Sequence, residues 1–179
     1  MKTILKPLSI IILIMALAGC AAQKTAKSST ESETLHMQAL KALNEQKFII
    51  KINEFYLSSN KSANRSPDNS PVKSATNSHI SMQGSRAIIK FAPDLSPRPP
   101  FNFENIEDNA AEITKEKSKK NGDEQYSIII KGEQNSQNRK ILITLYKNTN
   151  KCFGHVTNEI LSYHVVDFTG EIYPLEEDM

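Results

Sequence analysis

The chain has no tryptophan, two cysteines and six glycines in 179 residues, and each scarcity excludes something. So few glycines leave little material for the tight corners of a small closed barrel. No Gly-x-Ser-x-Gly, no phosphate-cradling glycine loop and no Cys-x-x-Cys occurs. The signatures of a hydrolase nucleophile elbow, a nucleotide site and a structural zinc site are therefore missing. Gly84-Ser85 is the nearest approach to a nucleophile turn, and it reads as the turn of a hairpin. No motif calls for a cofactor. An excess of positive charge is lacking too: the formal +2 comes from Lys2 and Lys6, and from residue 20 onward 20 basic side chains face 20 acidic ones. A neutral body argues against nucleic acid as the partner, because that partner is attracted through clustered Lys and Arg.

The N-terminus carries an address. Lys2 and Lys6 precede a run from Leu8 to Ala18 that is apolar but for Ser9, and the run ends in Leu17-Ala18-Gly19-Cys20. At about half of the ~20 residues that span a bilayer, the run suits a signal-peptide core rather than a membrane helix. Its end resembles the bacterial lipoprotein signal, in which the peptide is cut before a cysteine that carries lipid. The expectation is a leader over 1–19, lipidation at Cys20 with acyl chains of the palmitate class, and a lipidated tether over 20–33. Several chains on one residue, at ~0.8 kcal/mol per buried methylene, give durable anchoring. Ala21, Ala22 and Gln23 follow the cysteine without an acidic residue, which favours the inner, periplasm-facing leaflet of the outer membrane over the cell surface. Cys152 is then the remaining thiol, and its place beside Phe153 in a strand-like stretch suits a buried one.

Residues 34–179 read as one β-rich domain. Met37, Leu40 and Leu43 recur at three-residue steps over 31–47 and predict a short amphipathic helix. From Phe48 the period becomes two: Phe48, Ile50 and Ile52 alternate with Ile49, Lys51 and Asn53. Further β-rich runs occupy 79–83, 86–92, 110–118, 125–132, 140–147, 151–158 and 162–173. Ile128, Ile130, Ile141, Ile143 and Leu145 supply one face of a core, while Lys115, Lys117 and Lys131 meet water. A polar loop covers 58–78 and a proline-rich loop covers 92–101, where proline forbids a central strand. No connection leaves clear room for a crossover helix, so antiparallel pairing of successive strands is expected. The fold class is all-β: an antiparallel sandwich or open curved barrel of about eight strands, preceded by one short helix. Asn121-Gly122, placed at the centre of a type I′ turn, pairs Ile113 with Ile130 and Glu112 with Lys131.

The lipoprotein leader, the helix running into FIIKINEFYL, HISMQGSRAIIKFAP, FNFENIED, and the hairpins QYSIIIKG, RKILITLYKN, KCFGHVTN and YHVVDFTGEIYPL resemble the DUF4251 family. That family consists of small exported and lipoprotein-like proteins of Bacteroidota gut bacteria. The likeness runs over roughly 36–175 and implies a β-rich periplasmic lipoprotein. It transfers no catalytic residue.

One local arrangement invites chemistry. A symmetric connection after Thr157 places His155 opposite His164 on adjacent strands, close enough for the two imidazoles to share a metal, but a third ligand would still be needed, and this reading sets Asp167 on the other side of the strand from His155. A solvated polar face is the plainer reading. Phe101 and Phe103 form an aromatic cluster in the proline-rich loop. Two functions are expected from these residues. The first is a non-enzymatic, lipid-anchored module facing the periplasm that binds an envelope protein, peptide, glycan or lipid-like ligand. The second is a hydrolase or metal-dependent enzyme assembled from His155, His164, Asp167 and Glu171.

Overall fold

A computed structural model describes residues 30–56, 72–73, 77–91, 105–116, 118–133, 135–160 and 164–176. The leader, Cys20, the tether up to residue 29, most of the polar loop at 58–78, and the proline-rich loop from 92, with Phe101 and Phe103, lie outside them. Among the described residues no helix is long and apolar enough to cross a membrane.

A helix, α1, spans 30–44. Its buried side chains are His36, Ala39, Ala42 and Leu43, while Met37 is 60% exposed. The apolar stripe is thus turned by about one position from the one the Met37, Leu40, Leu43 spacing predicts, and the helix stops before Lys47. Gln46 adopts a left-handed conformation (φ 55°), which ends the helix and turns the chain into the sheet.

The strands are β1 (Lys47–Tyr56), β2 (Val72–Lys73), β3 (His79–Gln83), β4 (Arg86–Lys90), β5 (Ile106–Asp108), β6 (Glu112–Lys115), β7 (Glu124–Ile130), β8 (Arg139–Leu145), β9 (Lys151–Asn158) and β10 (His164–Pro174). They form one antiparallel sheet in the order β5-β4-β3-β1-β10-β9-β8-β7-β6, with β2 paired to β1. The expected all-β architecture is found, as the open curved sheet rather than the sandwich. Pairing is not wholly sequential: β1 lies mid-sheet, between β3 and β10.

The sheet curls. β5 and β6 are its opposite edges, yet only residues 109–111 separate them in sequence, a step of at most ~14 Å. Asp108, buried at the end of β5, holds this corner by accepting hydrogen bonds from the Ala110 amide at 2.8 Å and the Lys131 amide at 2.7 Å. The result is a half-barrel whose concave face is the core. Phe48, Ile50, Ile80, Ile89, Ile128, Ile141, Ile143 and Phe168 are all fully buried there. α1 is anchored against the same side: Ser32 donates to the Asn148 carbonyl at 2.6 Å, His36 meets the Thr149 carbonyl at 2.8 Å, and Tyr126 donates to Asn44 at 3.4 Å.

Two turns differ in what they needed. Gly84 (φ 60°) and Ser85 make the predicted β3–β4 turn, glycine taking the first central position that requires positive φ. At 119–123 the register differs from the expected one. Ile113 pairs with Ile128 and Glu112 with Ile129, a shift of two residues. Asn121 does not adopt positive φ. Its side-chain oxygen accepts the Asp123 amide at 3.1 Å, while Gly122 alone turns left-handed at φ 90° and donates to the Lys119 carbonyl. This is a longer turn with a glycine bulge, which moves the pairing.

Phe168 lies directly opposite Gly154 across the β9–β10 ladder, and a Cβ on Gly154 would fall within the Phe168 ring. Two rows nearer the β8–β9 turn, Cys152 is 1% exposed. Burial, with Glu171 nearby, pushes its thiol up to about 12, so the thiolate that reacts or oxidises is scarcely populated.

Two outcomes follow. Gly154→Ala should lose about 1–3 kcal/mol through overpacking, lowering the melting midpoint by roughly 2–4 °C per kcal/mol, and Phe168→Leu in the same chain should recover part of it; an unchanged midpoint contradicts the packing. In thiol-labelling at pH 8, Cys152 should react only as the domain unfolds, at a rate that rises with denaturant, whereas prompt labelling of the native protein would show the side chain to be accessible.

Candidate functional site

The ladder sorts side chains strictly by face. Residues opposite the core point outward from the curl, and two constellations on this outer face carry chemistry.

The first lies where β9 meets β10. Asp167 sits directly opposite His155, whereas His164 is opposite Thr157. The expected head-on pairing of His155 with His164 is therefore not the observed one. The cause is a bulge between His164 and Val166: Val165 and Val166 are both buried, and the extra residue brings His164 and Asp167, three apart, onto one face that a regular strand would deny them. The rings still meet on the diagonal, stacked with centroids 4.8 Å apart at 29°. His155 Nδ1 is 2.5 Å and His164 Nε2 is 3.0 Å from the same oxygen, Oδ1 of Asp167. Side-chain exposures of 42%, 24% and 26% leave the group reachable from solvent.

Two neighbours stand apart from it. Tyr56 faces Asp167 across β1–β10, but it donates its hydroxyl to Glu54 at 2.7 Å; that bond first, then burial, raises its pKa. Glu171, the fourth residue of the enzyme reading, is four positions along β10, ~13 Å away. It pairs with Lys151 in register and accepts the Tyr173 hydroxyl.

The second constellation was not anticipated from the sequence. It is a cleft of about 650 Å³ on the outer face of β1, β3 and β4. Register builds it in rows: Lys51–His79–Lys90 at one end, Ile49–Ser81–Ile88 in the middle, and Gln83 with Arg86 at the other. Ile52, Asn77, Ser78 and Leu175 complete its walls, and none of the twelve lining residues is acidic. Just outside, Glu107 holds Arg86 with a 2.7 Å ion pair, and Lys51 lies 5.1 Å from the Tyr173 ring centre. The signal was present in the alternation. Ile49 and Lys51, His79 and Ser81, and Arg86, Ile88 and Lys90 each skip one residue, so that each strand turns these side chains away from its buried set.

The cleft contains none of His155, His164, Asp167 and Glu171. An apolar floor with cations at both ends can hold an elongated ligand, and His79 and Ser81 face it from alternate positions of β3, with His79 Nδ1 3.2 Å from the Asn77 carbonyl oxygen.

No family model matches the sequence, and no curated protein matches it. Among solved structures, the chain is similar to a DUF4251 family protein from Bacteroides eggerthii DSM 20697. The TM-score is 0.63 and the identity 16%, over 82% of this chain and 91% of that one. At that identity the likeness speaks for the fold, and the fold is the one implied by the resemblance seen in the sequence: this chain has the architecture of a DUF4251 family structure.

Proposed function

We propose that the protein is a DUF4251-type lipoprotein of the bacterial envelope, anchored through lipid on Cys20, whose curled sheet is a binding module facing the periplasm. The outer-face cleft carries this reading. Apolar Ile49 and Ile88 line its middle, Leu175 adds to its walls, and Lys51, Lys90 and Arg86 stand at its ends with no acidic side chain among the lining residues. That chemistry fits an amphiphilic anion, a lipid-like molecule with an aliphatic body and a carboxylate or phosphate head. The aliphatic part is desolvated against the isoleucines, and the head meets cations that are already in place on rigid strands. A tether of short polar residues suits a module working close to the membrane that supplies such molecules.

The hydrolase or metal-dependent enzyme finds less support. The imidazoles and carboxylates of that reading lie on open sheet outside the cleft, and a reacting group would have no shielded site beside them.

Two experiments test the proposal. Replacing Cys20 with Ala in the full chain should move the protein from the membrane fraction to the soluble one, with loss of the acyl mass in mass spectrometry; a membrane-bound, unacylated protein would refute the anchor. With a fluorescent long-chain fatty acid as probe, Lys51→Glu combined with Lys90→Glu should weaken binding by about tenfold or more, equivalent to ~1.4 kcal/mol. A neutral alcohol analogue should bind weakly to both proteins. Equal binding of the acid and the alcohol, or no effect of the charge reversal, would refute the cleft as the site.

A further inference from the structure

We propose that His155, His164 and Asp167 form a binding site for one late first-row divalent cation of the zinc class, independent of the cleft. Their three ligand atoms, His155 Nδ1, His164 Nε2 and a carboxylate oxygen of Asp167, all lie within 4.8 Å of one another. Around a tetrahedral zinc ion with bonds of ~2.0–2.1 Å, ligand atoms stand ~3.4 Å apart. For an ion to sit between the three groups, the two contacts to Asp167, at 2.5 and 3.0 Å, open by less than about 1 Å, and the separation of the two imidazole nitrogens, within 4.8 Å, closes toward the same value.

The backbone makes this arrangement at a cost. The bulge at Val165 gives up a regular step of the ladder, and its effect on the outer face is to bring His164 beside Asp167 and over His155. Bulges that re-aim a side chain in this way recur next to functional sites. Two imidazoles with one carboxylate favour zinc, nickel, copper or iron over calcium or magnesium, which prefer all-oxygen shells. Three protein ligands leave a fourth position facing solvent, open to water or to a donor from a docked molecule. The other two histidines are set elsewhere: His36 is buried against the Thr149 carbonyl, and His79 lies in the cleft.

Zinc titration of the full-length protein in mild detergent tests the site. One ion should bind per chain and raise the melting midpoint by roughly 5–10 °C at a hundredfold excess over Kd. Asp167→Asn, and separately His155→Gln with His164→Gln, should weaken binding by more than about 100-fold, beyond what loss of an outer-shell partner costs. His79→Gln should leave affinity unchanged. Should the variants fail to fold, paramagnetic nickel added to the native protein should selectively broaden the amide signals around residues 155, 164 and 167. Absence of one-to-one uptake overturns the proposal, as does zinc affinity unaltered in both ligand variants or broadening centred on His36 or His79.

Discussion

Backbone hydrogen bonds leave β1 along both of its edges, and the partner on one of them is β10, the strand most distant from it in sequence. Without that pairing the domain would fall into two meanders: β3, β4 and β5 on one side, and β6 through β10 on the other. Phe48 through Tyr56 meets Pro174 back through Asp167, which joins the two into a single sheet. The three-residue corner at 109–111 then compels this sheet to curl. Closing a loop of more than a hundred residues is entropically demanding, and the return is a contiguous core on the concave side. Gly170 shows how tight the junction is: a Cβ there would lie 2.6 Å from the Lys51 carbonyl oxygen.

Curling also settles where function can reside. The concave face is filled by apolar side chains and sealed by α1, so chemistry is left to the outer face. On that face the cations Lys51, Lys90 and Arg86 around Ile49 and Ile88, with Glu107 paired to Arg86, make one surface, and the bulged end of β10 makes another. Among the described residues every buried side-chain nitrogen and oxygen has a hydrogen-bond partner. Reactivity is therefore found in exposed groups held on rigid strands rather than in strained or orphaned ones.

Period-two alternation was enough to read most strands directly, because a half-buried sheet imprints its two faces on the sequence. His79–Gln83 and Lys151–Asn158 begin and end where the pattern does. Ile106–Asp108 and Val72–Lys73 escaped notice, since two or three residues are too few to show a period. The Asn121-Gly122 turn was misplaced by two residues because a side-chain hydrogen bond from Asp123 to Asn121 selected a longer turn than the dipeptide alone suggests. Met37 lies outside the buried stripe of α1, because three-residue steps leave the helix face ambiguous by one position. The bulge at Val165 has no sequence mark, so the position of Asp167 beside both histidines became visible only in the folded ladder. The cleft was legible in principle, as three strands whose polar set is basic, but only once their neighbours were known.

Native-state amide hydrogen exchange measures the β1–β10 junction most directly. If that pairing splices the two meanders, amides of β1 and of the facing half of β10 should be among the slowest in the protein and should open together with β8 and β9 in the global unfolding event. Exchange of β1 on the timescale of loops, while β7, β8 and β9 remain protected, would show that the first strand is an appendage and would contradict the single curled sheet.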